Sequence, residues 1–551
     1  MTSNILPASL VASWHARSQQ GTAGLLLFGW AGTIVTILAL MVVSFVLLGY
    51  GWPYWRRGDS DIMFVYQAYL LNSGRPQDFF DHPGYLTILL LDGWFRLLHS
   101  IGFLDVISLT DMPSASDPAR FEQVWTAGMR AARTLSLFLA LSFVSLFAVL
   151  LRRLVTDWRV AALGTFMLAF SAGVMWLARI IRTELLSTTL EILGLLLLLV
   201  AARSPERIWR PVIVGLAAML CTLGVVDKVQ AIVPAMAWTI VVMFFGVRAS
   251  DPRSVWRSAV PALLALLALS VLTILAVIPA AQLIEFGLSG KASSIFPLPP
   301  PPLGINGLYQ ALLAAWVLGA VIVYALIWRV PLLETVTTLI AVCLGVAIGL
   351  LSLEWRYHPQ NVIEVINPLE LMFYFATWAD PQLGAGGSIG SIRMIQSVVT
   401  GFLDVLARLT FVLHTSARAT VFLQWFVILG IYWAWSRRER LLATQAAILL
   451  LAAWGIDTVS GFRGLKIEYS ALSDPLVVIA AAWLLANLPE LRVHRLAMPI
   501  GALLIAIHVI MSQFEPFKFT FLRRSGPEQQ CQWMPRYTKL IERFPFCPPR
   551  T

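Results

Sequence analysis

Apolar stretches of about 20 residues, separated by polar connections, recur along the whole of this chain. A helix of that length is needed to cross the hydrocarbon core of a bilayer, which is roughly 30 Å thick. The pattern predicts an all-α, polytopic membrane protein with about 13 transmembrane helices. The predicted spans lie at approximately 24–49, 127–151, 160–178, 184–201, 210–227, 229–247, 258–281, 309–328, 332–352, 419–436, 441–458, 472–488 and 496–512.

The residue composition is that of a membrane protein rather than a soluble one. Of the 551 residues, 58% are hydrophobic and 13% are charged, and the mean hydropathy is +0.77. An ordinary soluble domain carries about 25% charged residues. The first apolar run is too long for the hydrophobic part of a signal peptide, and no small-residue cleavage site follows it. It is therefore predicted to be a retained span.

Arginine residues gather in every second connection between the predicted spans. These residues are Arg152, Arg153, Arg159, Arg203, Arg207, Arg210, Arg248, Arg253, Arg257, Arg329, Arg437, Arg438, Arg440, Arg492 and Arg495. Short basic connections mark the cytoplasmic side of a membrane protein, so the N-terminus is predicted to be cytoplasmic and the C-terminus extracytoplasmic. Most of the net charge of +10 then comes from these cytoplasmic arginines, which face anionic lipid headgroups. No nucleic-acid partner is predicted.

Three connections on the opposite side are too long to be simple links. The expected organisation is a transmembrane module over 1–512 with outer loops at 50–126, 282–308 and 353–418, followed by a short extracytoplasmic tail at 513–551. Long structured loops above a membrane core usually build a binding site. In the first loop, residues 85–104 are apolar but interrupted by charged side chains, which favours a helix lying in the membrane interface.

Two of the four cysteines, Cys531 and Cys547, lie in this tail. Disulfides persist in exported segments, so an outward-facing tail favours a bond between them. The alternative is a pair of free thiols in a cytoplasmic tail.

The segment that follows the first span carries the most informative acidic residues. Asp59 and Asp61 come shortly after the span ends. A carboxylate at a membrane face is costly unless it is solvated, paired or used in chemistry, and Asp61 is expected to face water. The structural alternative for Asp61 is an ion pair with Arg56 or Arg57. For Asp59 the alternative is to cap the helix that follows.

Positively charged side chains at the outer ends of the spans are candidates for holding a phosphate at headgroup depth. Arg179 and Arg182 are three residues apart and are expected to share one face of a helix. Lys228 ends another span, and Lys466 precedes a later one. The structural alternatives are interfacial anchoring for the arginines and snorkelling for the lysines.

Several neighbouring residues are further candidates for substrate binding. Glu184 is expected to pair with Arg182, either to shape a pocket or to anchor the end of a span. Tyr469 closes the segment that holds the later lysine. Asp81 and His82 precede a Pro-Gly turn in the first outer loop, where they either orient an acceptor or serve only the turn.

Five segments, taken in order, resemble a known family of membrane enzymes. They are GDSDIMFVYQAYLLNSG, HPGYLTILLL, ARIIRTELLSTTLEILGLLLL, GLAAMLCTLGVVDKVQAIVP and LKIEYSALSDPLVVIAAAWLL. Their order and spacing resemble the GT-C glycosyltransferases, in the branch of the protein O-mannosyltransferases and the lipid A aminoarabinose transferase. The resemblance covers about residues 25–250 well and 440–490 more loosely.

This resemblance implies a GT-C-like transferase of the bacterial inner membrane. It implies that a sugar moves from a polyprenyl-phosphate donor to an extracytoplasmic glycolipid, polysaccharide or protein, with inversion and with Asp61 as general base. The family often has Asp-Glu at this motif, whereas here Ile62 follows Asp61 and Asp59 precedes it. The identity of the base and a role for a divalent metal therefore stay open.

Two other classes of membrane protein also handle lipid-linked sugars. A transporter or flippase would be favoured by charged residues lining a route through the bundle, and the predicted spans contain few of them. An O-antigen polymerase or ligase would depend on the third outer loop, where Arg356 and His358 lie.

Overall fold

The computed structural model describes residues 23–57, 61–78, 84–203, 209–246, 305–354, 391–410, 418–461, 467–488, 497–522, 526–531, 538–541 and 544–547. Helices joined by turns make up these residues, and no strand occurs among them. The helices are α1 (Ala23–Phe45), α2 (Met63–Asn72), α3 (Tyr85–Ser100), α4 (Pro118–Leu154), α5 (Trp158–Ala169), α6 (Ala172–Leu177), α7 (Thr183–Arg203), α8 (Arg210–Asp227), α9 (Ile232–Val242), α10 (Ile305–Trp328), α11 (Leu332–Glu354), α12 (Ser391–Thr410), α13 (Val421–Ser436), α14 (Arg440–Gly461), α15 (Ser470–Asn487) and α16 (Ala497–Phe517).

The all-α class and the presence of several membrane-spanning helices are confirmed for the described part of the chain. Eight helices there are long and apolar enough to cross a membrane, namely α1, α4, α7, α8, α11, α14, α15 and α16. Shorter apolar helices stand at four other predicted spans, as α5, α9, α10 and α13. The predicted span at 258–281 lies outside the described residues, as does most of the second and third outer loops. The number of about 13 spans stays a prediction.

The predicted span at 160–178 is divided into two helices. α5 ends at Ala169 and α6 begins at Ala172, and the Val174 N–H donates to Ser171 Oγ at 3.4 Å. A serine in this position caps a new helix, so a second helix begins within the apolar run. α6 then ends at Leu177, well before α7 begins at Thr183.

α7 and α15 form the centre of the bundle, because most of their side chains are buried. α15 packs against α5, α6, α7, α13 and α14. Close packing elsewhere depends on small residues. A Cβ atom on Gly345 of α11 would lie 2.1 Å from the Gly215 carbonyl oxygen of α8, and one on Gly349 would lie 2.9 Å from the Thr222 side chain. Small residues in this spacing let two helix backbones approach closely within a membrane.

The two ends of the bundle differ in chemistry. At the basic end, the Arg203 guanidinium lies 4.6 Å from the centre of the Trp483 ring, and Gln445 Nε2 donates to the Phe244 carbonyl at 2.7 Å. The other end, here called the outer end, holds the first outer loop and the start of α7. α7 has 21 residues, which makes it about 30 Å long. The two ends are therefore separated by the thickness of a hydrocarbon core.

At the outer end, α4 continues beyond the predicted span at 127–151. Its 37 residues begin at Pro118, and Asp117 caps the helix by accepting from the Arg120 N–H at 3.2 Å. The added turns carry Phe121 and Trp125, which are buried against α2 and the C-terminal tail. The first outer loop therefore has a hydrophobic core of its own.

The C-terminal tail is fastened to this loop. A disulfide joins Cys531 to Cys547. The Leu540 N–H donates to Tyr66 Oη at 3.1 Å, and Lys539 Nζ donates to the Asp78 carbonyl at 2.9 Å. The Phe544 ring also packs against Trp125, with 5.6 Å between ring centres. The tail and the first outer loop thus lie at the same end of the bundle.

Candidate functional site

Asp61, the residue expected to face water, is completely buried. Its Oδ2 accepts from Arg133 Nε at 2.9 Å, and its Oδ1 accepts from the Ile181 N–H at 3.0 Å. The prediction that Asp61 faces water is wrong. The physical reason is that α4 carries Arg133 into the interior, where a guanidinium is strongly destabilising unless a carboxylate compensates it.

The Asp61–Arg133 pair connects four separate parts of the outer end. Arg133 Nη1 donates to the Trp52 carbonyl at 2.5 Å and Nη2 donates to the Pro53 carbonyl at 3.2 Å. The connection after α1, the start of α2, the body of α4 and the segment before α7 are therefore fixed to one another. This is the geometry of a positioning group, since both ions are fully buried.

A second network at the outer end brings together residues from three predicted motifs. Arg182 Nη1 donates to Glu468 Oε1 at 2.8 Å, and Arg182 Nε lies 3.3 Å from Glu184 Oε2. Lys228 Nζ donates to Glu184 Oε1 at 2.9 Å. The Arg182 and Glu468 side chains are 11% and 8% exposed, whereas those of Glu184 and Lys228 are 2% and 1% exposed. Arg182 and Glu468 are thus the least buried part of the network, and this edge is here called the accessible edge.

Two of these charged side chains lie at helix ends where the helix dipole stabilises them. Glu184 is in the first turn of α7, close to the positive end of the helix dipole. Lys228 directly follows the last residue of α8, where a positive charge is favoured. Because the Lys228 ammonium is buried and bonded to Glu184, it does not snorkel to water as a span-end lysine often does.

Asp227 ties the first outer loop to this network. Its Oδ1 accepts from the Thr87 N–H at 2.9 Å, and its Oδ2 accepts from Thr87 Oγ1 at 2.8 Å. Its carbonyl also accepts from the Gly84 N–H at 3.0 Å, and Gly84 has a φ of 60° that favours glycine. In the sequence, Asp227 stands out only as the neighbour of Lys228.

Arg179 and Arg182 do not share a helical face, contrary to the expectation from their spacing. The chain between α6 and α7 is not helical, so a spacing of three residues does not place the two side chains on the same face. Arg182 reaches Glu468, whereas Arg179 Nη2 donates to Ser44 Oγ at 2.7 Å and to Gln513 Oε1 at 3.1 Å. The two guanidinium groups therefore serve different parts of the outer end.

Of the remaining candidate residues, one lies among the residues that the structure describes and four do not. Tyr469 is buried in the turn Ile467–Tyr469, next to Glu468. Asp59, Asp81, His82 and Lys466 lie outside the described residues. Among the described residues, no group of three or more His, Cys, Asp or Glu side chains is placed to hold a metal ion. The role of a divalent metal stays a prediction.

A further polar network, not expected from the sequence, joins α13, α14 and α15. Arg418 pairs with Asp457 and with Asp474, the latter at 2.7 Å. Thr420 Oγ1 donates to Asp474 Oδ1 at 2.6 Å, and Ser473 Oγ donates to Asp457 Oδ1 at 2.5 Å. The signal available in sequence was the pair of aspartates within otherwise apolar runs.

No family model, no curated protein and no solved structure matches this chain.

Proposed function

We propose that this protein is an integral membrane glycosyltransferase with a GT-C-like fold of about 13 spans. It moves a sugar, with inversion, from a polyprenyl-phosphate donor to an extracytoplasmic glycolipid, polysaccharide or protein. The proposal places the chain in the bacterial inner membrane, with the N-terminus cytoplasmic and the C-terminus outside. The observation that carries it is the convergence of Arg182, Glu184, Lys228 and Glu468, from three distant segments, in one network at the outer end.

Such a network suits chemistry on a lipid-linked donor. Ion pairs at membrane depth are costly and need a compensating role. A phosphate approaching the accessible edge can take Glu468's place beside Arg182, and the guanidinium then stabilises the charge that grows on the leaving phosphate. Lys228 and Glu184 behind it hold the cation in position.

The geometry changes the role proposed for Asp61. A general base must meet the acceptor hydroxyl within hydrogen-bond reach. Asp61 is completely buried, and both of its oxygens already accept hydrogen bonds. We therefore assign it a positioning role, in which it fixes the segment that leads into α7. The proton acceptor is then Glu468, at the accessible edge, or Asp59, which lies outside the described residues.

The proposal is tested by an in vitro transfer assay on the purified protein. A panel of polyprenyl-phosphate sugars is incubated with membrane glycolipid, polysaccharide and protein acceptors, with and without chelator. Product formation with one donor is expected, and release of polyprenyl phosphate should accompany it. Replacing Glu468 with Gln, and separately Asp59 with Asn, identifies the base by loss of transfer. No transfer from any donor would contradict the proposal.

One observation favours a second function, the transport of a lipid-linked sugar. Asp457, Asp474 and Glu191 are buried within helices, which a transporter would need more than a transferase. Reconstituted vesicles with a fluorescent lipid-linked sugar distinguish the two functions, because flipping without glycosyl transfer supports transport. The residues on which a polymerase or ligase would depend, Arg356 and His358, lie outside the described part of the chain.

A further inference from the structure

Three of the cations expected to bind phosphate are described, and only two of them have a carboxylate partner among the described residues. Arg182 and Lys228 are paired with glutamates. Arg179 is completely buried, and among the residues that the structure describes its guanidinium donates only to neutral oxygens. These oxygens are the Met175 carbonyl, the Ser44 carbonyl at 3.3 Å, Ser44 Oγ at 2.7 Å and Gln513 Oε1 at 3.1 Å.

The buried guanidinium of Arg179 is also incompletely hydrogen-bonded. Its Nε has no hydrogen-bond partner among the described residues. An arginine keeps its charge at physiological pH, and a buried charge without a counter-ion is strongly disfavoured. Within the described part of the chain, the site therefore has one positive charge in excess and one donor without an acceptor, which is the chemistry that recognises an anion.

The surroundings of Arg179 show from which side an anion would come. Ser44 belongs to α1 and Gln513 to α16, and Ser44 Oγ donates to Gln513 Oε1 at 2.7 Å across the contact between these helices. Both side chains are partly buried, and apolar side chains beside them are exposed. These exposed residues are Val43, Leu47, Ile510 and Phe514. Ser44 and Gln513 thus interrupt an apolar helix face with polar side chains, and Arg179 lies buried behind them; this place is here called the notch.

Two further arginines lie against aromatic rings just beyond α1 and α16, at the same end of the bundle. The Arg130 guanidinium lies 5.3 Å from the centre of the Tyr50 ring just after α1, and the Arg56 guanidinium lies 4.7 Å from that of Phe519 just after α16. Glu515 is two positions from Gln513 in α16, and residues two apart do not face each other on a helix.

We propose that this notch binds the phosphate group of a membrane lipid, which enters sideways from the bilayer between α1 and α16. The phosphate replaces the Ser44–Gln513 contact beside Arg179, and the lipid chain lies against Leu47 and Phe514. A lipid is favoured over a soluble phosphate because the notch opens between exposed apolar side chains rather than toward the polar outer loop. Binding needs no acceptor and no transfer, so this proposal can hold even where the proposed transferase activity fails.

The test measures binding of a polyprenyl monophosphate to the full-length purified protein by native mass spectrometry, with no acceptor present. Arg179→Gln should weaken binding by about tenfold or more, which is the usual effect of losing a charge-assisted hydrogen bond. Arg210→Gln is the matched control and should change binding by less than about threefold, because Arg210 pairs with Glu334 at the basic end of the bundle. The reverse order of effects would overturn the proposal.

A second measurement uses the wild-type chain and does not depend on the folding of an arginine variant. A polyprenyl monophosphate with a photoreactive group near the phosphate should cross-link to α1 and α16. Phosphatidylglycerol in excess tests whether an ordinary headgroup phosphate occupies the same notch, and competition would assign the site to membrane phospholipid. Cross-linking to neither helix, or equal competition by inorganic phosphate, would contradict entry of a lipid from the bilayer.

Discussion

At the scale of single residues, partners that are distant in sequence decide whether a charged side chain is exposed to water or buried in an ion pair. Asp61 stood out because it follows a span, and Arg56 and Arg57 were its visible neighbours. Arg133, which neutralises it, is 72 positions away on another helix. The sequence therefore indicated that Asp61 is special but not what it contacts.

The first prediction concerns the stability that this ion pair supplies. Asp61→Asn leaves the Arg133 charge buried without its counter-ion, which costs about 3–5 kcal/mol. A large fall in the melting temperature of the purified protein is expected. Asp92→Asn is the matched control, because its partner Arg96 is 52% exposed and water solvates the charge that is left, so the expected cost is smaller. Equal melting temperatures for the two variants would contradict the positioning role of Asp61.

At the scale of elements, apolar periodicity was sufficient to locate most helices. The predicted spans at 184–201, 210–227 and 332–352 agree closely with α7, α8 and α11. The division of the span at 160–178 was not foreseen, because Ser171 interrupts the apolar run without changing its average hydropathy. A second break, between α6 and α7, separates the directions of Arg179 and Arg182, so an error in one element became an error in the site.

The second prediction concerns the packing of α8 against α11. A Cβ at Gly345 would meet the Gly215 carbonyl oxygen, which is backbone and cannot rotate away. Gly345→Ala should therefore separate the helices and destabilise the protein by about 1–3 kcal/mol. Gly319→Ala in α10 is the control, since no atom lies within 4 Å of its added Cβ. A thermal melt in which both variants match the wild type would refute the close contact.

At the scale of the whole molecule, the tail and the first outer loop meet at the end where the charged motifs converge. The sequence predicted that both lie on one side of the membrane, from arginine placement. It could not predict that Tyr66, Asp78 and Leu540 would join them, because such contacts depend on the path of the chain between the spans.

The third prediction concerns the pH dependence of the stability that the buried Tyr66 phenol supplies. Burial raises the pKa of Tyr66 to about 12 from its usual value of about 10. A raised folded-state pKa means that the neutral phenol is stabilised by folding. The stabilisation is complete below about pH 10 and is lost as the pH rises through about 12.

Thermal melts at increasing pH measure this loss, and Tyr66→Phe is the control. The wild-type melting temperature should fall between about pH 10 and 12, whereas the variant should lack that transition. A transition of the same size in both proteins would show that another group is responsible.

The central claim is that the outer-end network performs glycosyl transfer, and comparing two arginine variants tests it most directly. Arg182→Gln removes the cation at the accessible edge, and Arg210→Gln removes an ion pair with Glu334 at the basic end. With a polyprenyl-phosphate sugar as donor, and with equal folding shown by thermal melts, Arg182→Gln should lower the transfer rate by about a hundredfold or more. Arg210→Gln should leave the rate within about threefold of the wild type, because its site is distant. Equal rates in the two variants would contradict the account.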